Sequence, residues 1–283
     1  MTVLIGILLI LALYFFIGYL ISFRIHTVSY SLESDKIREP VRIAVVSDLH
    51  STWYGKNQKI LISRLKQIAP DLILMPGDII DDKKGPEGAI SFLNQVQQIA
   101  PCYYCPGNHE KKGKIMTVEE AMNILREAGI PILDNKTLDI VCKGNTLTLC
   151  GIQDPRYNKH DDQPVEEDIR MMHEAGLDHV GKNWTVLLAH RPERAESYAQ
   201  FPFDLIVSGH AHGGQVRIPG LINGLFAPQQ GLFPKLAGGY YQFGTTTLIV
   251  SRGLCRRWYL PRIYNPEEIP VIELKSALKK ITV

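Results

Sequence analysis

Val41-Arg42-Ile43-Ala44-Val45-Val46-Ser47-Asp48-Leu49-His50 is an apolar run that ends on a carboxylate and an imidazole two residues apart. It reads as a buried strand, Val41 to Val46, whose exit loop carries chemistry. The same grammar recurs downstream. Lys56 to Ala69 follows a helical period, with Ile60, Leu61, Leu65 and Ile68 on one face. Asp71 to Met75 is the next buried strand and runs into Pro76-Gly77-Asp78. A helix over Glu87 to Ile99 leads to a strand at Cys102 to Cys105, which delivers Asn108 and His109. Thr117-Val118-Glu119-Glu120 has the form of a capping box and predicts a helix to Ala128. This β-α-β-α-β alternation favours parallel strands with helices packed on them. The second half changes texture. Leu138 to Cys142 and Thr146 to Ile152 flank a hairpin-like Lys143-Gly144-Asn145. Further short strands are expected at Thr185 to Ala189, Leu205 to Ser208, Gln215 to Ile218, Thr246 to Ser251 and Pro270 to Leu274.

Polar motifs sit at or near the ends of these runs: Asp48-Leu49-His50, Gly77-Asp78-Ile79-Ile80-Asp81, Gly107-Asn108-His109-Glu110, His190, and Gly209-His210-Ala211-His212. Carboxylates, an amide and imidazoles on loops at one sheet edge are the donors a two-metal hydrolytic site needs. Asp48 and His50, like His210 and His212, are spaced to turn toward one point once the chain leaves the pleat. Asp78 follows Gly77, where a small residue permits close backbone approach, and its two oxygens suit it to bridge two cations.

The five motifs, in this order, resemble the calcineurin-like metallophosphoesterase superfamily from about Val41 to Ser251. The resemblance implies an α/β fold, a four-layer sandwich of two mixed β-sheets packed face to face and flanked by helices, with two divalent metal ions (Mn, Fe or Zn) at one edge. It assigns the first ion to Asp48, His50, Asp78 and His212, and the second to Asp78, Asn108, His190 and His210. His109 is then the catalytic imidazole that protonates the leaving oxygen, and Asp81 the carboxylate that orients it. Glu110 is expected to support the site rather than ligate, Asp82 to be a solvated loop residue, and Asp154 a turn carboxylate or a neighbour of the substrate. His26, His160, His173 and His179 receive no role.

One departure narrows the substrate. Protein serine/threonine phosphatases of the superfamily carry arginines at the positions held here by Asp82 and Pro106, where they would grip phosphate as bidentate donors. The segments around His190 and His210 resemble instead the bacterial membrane-anchored phosphodiesterases, a branch that includes hydrolases of lipid-linked sugar nucleotides. The expected reaction is phosphodiester or pyrophosphate cleavage at a membrane, with a lipid-linked substrate among the candidates. Phosphomonoester hydrolysis is the enzymatic alternative. A metal-binding membrane scaffold without turnover is the alternative of another class, and the intact ligand set and His109 argue against it.

The remaining sequence bounds the setting. The chain has 283 residues, 45% hydrophobic and 21% charged, with a net charge of +2 that gives no reason to expect a nucleic-acid partner. Val3 to Phe23 holds no charged residue, about the ~20 residues a membrane-spanning helix needs. No Lys or Arg precedes it and its far end lacks a small-residue cleavage site, so an uncleaved single-pass anchor over 1–23 is expected in preference to a signal peptide. A polar connector over 24–40, one catalytic domain over 41–275 and a tail over 276–283 complete the organisation. Arg24, Lys36, Arg38 and Arg42 follow the helix and favour a cytoplasmic domain, whereas the resemblance, with members that work outside the cytoplasm, pulls toward the other face. The odd count of five cysteines speaks against a disulfide framework, and Cys102-Tyr103-Tyr104-Cys105 is expected to be strand rather than redox or zinc motif. Pro219 to Phe243, with Lys235 its single charge, is either an ordinary loop or an apolar wall near the site or the bilayer.

Overall fold

The computed structural model describes residues 2–113, 115–154, 165–174, 176–177, 180–257 and 260–277; His160, His179 and tail residues 278–283 lie outside them. In chain order, the first half runs α1 (Thr2–Ile21), β1 (His26–Ser34), β2 (Val41–Val45), α2 (Lys59–Ile68), β3 (Leu72–Pro76), α3 (Glu87–Val96), β4 (Cys102–Cys105) and α4 (Val118–Glu127). The second runs β5 (Lys136–Cys142), β6 (Asn145–Gly151), α5 (Val165–Glu174), β7 (Trp184–Leu188), α6 (Ala195–Tyr198), β8 (Leu205–Ser208), β9 (Phe226–Ala227), β10 (Gly231–Leu232), β11 (Gly239–Phe243), β12 (Thr246–Val250) and β13 (Glu268–Ser276). The capping box at Thr117 and Glu120 is formed in both directions and starts α4 where the sequence places it.

Two mixed sheets carry the fold. The first has the order β1-β13-β2-β3-β4 and the second β11-β12-β8-β7-β6-β5. β2, β3 and β4 are parallel, as are β6, β7, β8 and β12, while β13 against β2, β5 against β6 and β11 against β12 are antiparallel. Side chains of β2, β3, β7 and β8 such as Ile43, Val45, Leu74, Val186 and Val207 fill the space between the sheets. Leu61, Leu65, Phe92, Leu93 and Leu125 of α2, α3 and α4 cover the outer face of the first sheet. Met172 of α5 and Tyr198 of α6 cover the second. The result is the expected sequence of helix, sheet, sheet, helix. Burying strands on both faces explains their unbroken apolar runs.

Cys102 packs with the helical layer and Cys105 with the inter-sheet layer, on opposite faces of β4. The two thiols point apart, and all five cysteines are free. Burial pushes the Cys102 thiol up to about 12, so the pair has neither the geometry nor the thiolate character of a redox motif.

Two local expectations are corrected. The stretch expected as a polar connector holds β1, which pairs in parallel with β13 from His26 to Ser34. Its period of two, with Val28, Tyr30 and Leu32 turned inward between polar neighbours, is a strand signal that its polarity hid. Gln215 to Ile218 is not a strand: Val216 bridges Ile263 and Ile218 bridges Ile222 singly. Positive φ at Gly213, Gly214 and Gln215 turns the backbone before a ladder can form.

α1 is 20 residues long, with a mean hydropathy of 2.7 and Gly18 as its buried residue. That length spans about 30 Å, the thickness of a bilayer's hydrocarbon core. Its C-terminal end is docked on the sheets' edge. Tyr264 N–H donates to Gly18 O at 3.0 Å, Asn265 N–H donates to Ser22 Oγ at 3.0 Å, and Arg256 donates to Phe23 O at 2.6 Å.

Candidate metal centre

The loops leaving β2, β3, β4, β7 and β8 meet at the carboxyl ends of those parallel strands, where open α/β sheets bind ligands. Beyond the strands the backbones stay zipped. Asp48 N–H donates to Gly77 O at 3.1 Å, His50 N–H to Asp78 O at 3.0 Å, and Gly209 N–H to His190 O at 3.1 Å. The loops are also strained. Asp48, His50, Asp78, His210 and His212 have φ of 50°, 46°, 56°, 67° and 48°, a region that costs a non-glycine residue of order 1–3 kcal/mol. Such strain persists only where the surroundings over-determine it, and here it turns donor side chains inward. Two motif glycines are fixed by crowding. A Cβ on Gly107 would lie 2.2 Å from Asp78 Oδ1, and one on Gly209 would lie 1.9 Å from Ser47 Oγ.

The expected donors form two adjoining groups: Asp48 with His50 and His212, and Asp78 with His190 and His210. Asp78 Oδ2 lies 3.5 Å from His50 Nε2 and 3.2 Å from His190 Nε2, so it faces both groups. His212 Nε2 is 3.8 Å from Asp48 Oδ1, and His210 Nδ1 is 3.2 Å from His190 Nε2. Asn108 lines the same cavity, of about 170 Å³, as Asp78, His109, His210 and His212.

Outer contacts orient each imidazole. His50 Nδ1 lies 3.0 Å from Asp81 Oδ2, which leaves Nε2 for the cluster. His190 Nδ1 lies 2.8 Å from Pro76 O, and His210 Nε2 lies 2.5 Å from Gln229 Oε1. This is how metal-binding histidines are usually held, one nitrogen to a protein acceptor and the other to the ion. Glu110 acts on backbone. Its buried carboxylate accepts from the N–H groups of Asp78, Ile80 and Gly107 at 3.1, 2.9 and 3.1 Å. Asn265 donates to His212 O at 2.7 Å.

Asp81 and Asp82 are both buried beside His109, and Asp82, expected to be solvated, is the nearer. Asp82 is buried, and its Oδ1 lies 2.5 Å from His109 Nδ1. Asp81 Oδ2 is 4.0 Å from that nitrogen and 3.0 Å from His50. Adjacent residues on a tight loop point to different partners, and motif spacing alone does not say which reaches which. Asp154 is not a plain turn carboxylate: buried, it binds Arg191 Nε at 2.8 Å.

The donor set fits cations. His50 Nε2, Asp78 Oδ2 and Asn108 Oδ1 are buried with no hydrogen-bond partner among the described residues, a costly state for polar atoms unless an ion completes them. The electrostatics agree. Burial works against a charged His190, yet Asp78 and Asp48 raise it to about 10, the response of a field that calls for positive charge. Burial and the neighbouring His190 hold His210 down at about 3, and burial with His50 beside it holds His212 well below the ordinary range. Burial likewise lowers His50. Neutral imidazoles are the form that ligates.

Several residues at the site carry no motif. Phe226, Pro228, Cys255, Arg257 and Leu260 line the cavity, and Arg257 Nη2 lies 3.5 Å from Asp81 Oδ2. The apolar wall considered for Pro219 to Phe243 is thus present in part, through Phe226 and Pro228. The Arg256-Arg257 pair was the available signal for the rest.

Sheet order and donor set together define a metallophosphoesterase. Residues 41–214 match the calcineurin-like phosphoesterase family, and the chain belongs to it. The uncharacterized metallophosphoesterase Cj0846 of Campylobacter jejuni is 29% identical over 88% of this chain. Phosphodiesterase YaeI of Escherichia coli is 28% identical over 83% of this chain and 82% of its own length, and YkuE of Bacillus subtilis 27% identical over 93% and 90%. The chain spans 63% of the Campylobacter protein and 61% of a Helicobacter pylori metallophosphoesterase that is 28% identical over 85% of this chain.

Proposed function

We propose that the chain is a two-metal phosphodiesterase or pyrophosphohydrolase that works at a membrane surface. The observation that carries it is three buried atoms without hydrogen-bond partners among the described residues: Asp78 Oδ2 and Asn108 Oδ1, whose residues line the cavity, and His50 Nε2, 3.5 Å behind Asp78 Oδ2. Asp48, His50, Asp78 and His212 would hold one ion, and Asp78, Asn108, His190 and His210 the other. Manganese, iron and zinc all suit these donors. Bound there, the two cations would lower the pKa of a water and neutralise phosphoryl charge.

The protein's own groups do the rest. His109 reaches the cavity with Nδ1 2.5 Å from Asp82 Oδ1 and Nε2 3.2 Å from Lys112 Nζ, so Nε2, beside that ammonium, is the nitrogen turned to substrate. Water oxygen bonds to phosphorus as the ester P–O bond breaks. The departing oxygen keeps the bonding pair and takes its proton from His109, and a proton of the water is released. Lys112 and Arg257 at the cavity wall supply the cationic grip that Asp82 and Pro106 do not. YaeI's description as a phosphodiesterase supports the diester reading.

α1 supports membrane action. Its foot is hydrogen-bonded to Tyr264 and Asn265, and Asn265 in turn braces His212 O. Cleaving it as a signal would strip a support from the site, so α1 acts as a retained anchor. Arg24, Lys36, Arg38 and Arg42 favour the cytoplasmic face.

The test uses the full chain in detergent, loaded with manganese, iron or zinc in turn. Hydrolysis of bis(p-nitrophenyl) phosphate and elemental analysis are read on the same sample. Two ions per chain and turnover are expected, and Asp78→Asn should lower both. A folded protein that takes up at most one ion, or hydrolyses nothing, overturns the reading.

A further inference from the structure

Beside the catalytic cavity lies a second hollow, of about 350 Å³, between the foot of α1 and Arg256, Arg257, Leu260, Pro261 and Arg262. Arg257 and Leu260 line both spaces, so the two adjoin. The outer wall is apolar. Tyr19 and Phe23 meet edge to face with ring centroids 4.7 Å apart, and both rings and Leu260 are exposed. Tyr19 stands in the last turn of α1 and Phe23 two residues past its end, so the hollow opens at the level where that helix would leave the hydrocarbon.

The inner wall is cationic. Arg256, Arg257 and Arg262 line it against a single carboxylate, Glu267, which Arg256 Nε occupies at 2.6 Å. Arg262 is the informative one. It is 7% exposed, its Nε donates to Cys255 O at 3.1 Å, and both Nη1 and Nη2 are buried without a partner among the described residues. A guanidinium with two unused donors in a fixed fork is built for a phosphate or carboxylate.

We propose that this hollow binds the acyl-bearing arm of an anionic phosphate lipid, which enters the catalytic cavity sideways from the bilayer with phosphate oxygens on Arg262 and Arg257. It rests on the phosphoesterase reading above and names the substrate class for that site. The chains lie along Tyr19, Phe23 and Leu260, and the headgroup meets the arginines before it meets the metal loops. A free phosphate would use only the inner wall. The apolar outer wall, contributed by the helix itself, is what favours a lipid.

The test is photolabelling of the full chain in phosphatidylcholine vesicles, with a phosphatidic acid bearing a diazirine in its acyl chain. Adducts should map to residues 19–23 and 260–262. Arg262→Gln should weaken labelling about tenfold or more, the scale of a lost charge-assisted hydrogen bond, and millimolar glycerol phosphate should not compete. If Arg262→Gln does not fold, Phe23→Ser and Leu260→Ser carry the same expectation. Labelling spread along α1 with nothing on 260–262, labelling indifferent to these variants, or full competition by glycerol phosphate overturns the proposal. The same samples are assayed on bis(p-nitrophenyl) phosphate. Hydrolysis without site-specific labelling sinks the groove alone, whereas specific labelling without hydrolysis sinks the catalytic reading and leaves the groove.

Discussion

Two sets of loops meet at the cavity, and they place different demands on the chain. The motif loops after β2, β3 and β8 hold donors on left-handed backbone, and the motif glycines Gly107 and Gly209 are pressed against carboxylate and hydroxyl oxygens. Few residue types can make those contacts, so each position is nearly dictated. The rim loops contribute Phe226, Pro228, Arg257 and Leu260, which supply shape and charge that many residues offer. Chemistry at the metals is therefore written in short motifs, while recognition of the substrate is spread over positions with no fixed spelling.

The sharpest test of that division lies inside one motif. His109→Ala should cut turnover by ~10²–10⁴, the range for a general acid, with both ions retained by elemental analysis. Asp82→Asn should resemble it in kind, because Asp82 holds His109 Nδ1. Loss of metal together with activity in either variant would put His109 among the ligands instead.

That pair also shows where sequence reading runs out. The order and spacing of the motifs announce which residues gather, because donors for cations come from a short chemical list. They do not announce partners one bond further out. Asp81 and Asp82 are neighbours, and only the path of the loop sends one to His50 and the other to His109. β1 was hidden for another reason: an edge strand with one face open to solvent keeps a polar composition while its inward residues repeat every second position. The sandwich itself was legible because strands buried on both faces must be continuously apolar. Gln229, Arg257 and Arg262 belong to irregular segments, where neither periodicity nor donor chemistry marks them.

The loop after β7 is an exception among the motif loops. His190 stands on ordinary backbone with no motif glycine before it, and its neighbour Arg191 is pinned by buried Asp154. Asp154→Asn should destabilise the fold by about 3 kcal/mol, since it leaves a buried guanidinium short of a partner. Burial opposes ionisation of Asp154, but Arg191 outweighs it and holds the carboxyl below its ordinary value of 3.8. A depressed folded pKa gives stability that is complete above the unfolded value and lost as pH falls through the folded one. The gap in Tm between wild type and Asp154→Asn should therefore persist from neutral pH down to about pH 4 and close below it. A gap that stays constant into acid would assign the effect to packing.

Asp81→Asn tests the other carboxylate of the pair. Its expected cost is ~10–100-fold in metal affinity, the usual effect of removing a carboxylate behind a ligating histidine. Saturating metal should restore most of the turnover, which it should not do for Asp82→Asn. Equal rescue of both would erase the distinction between them.

The smallest expected effect falls where the two regions touch. Gln229 belongs to the rim, yet its Oε1 lies 2.5 Å from His210 Nε2 and fixes which nitrogen that imidazole turns to the cluster. Gln229→Ala should weaken binding of one ion by about tenfold and leave the other unchanged, which a two-site metal titration separates. Gln229→Glu, which keeps an acceptor in place, should recover the lost affinity. If both sites weaken together, the rim acts on the centre through the fold as a whole. If neither does, the division between dictated motif and permissive rim is complete, and the contact at Gln229 is a consequence of packing rather than a support of the metal.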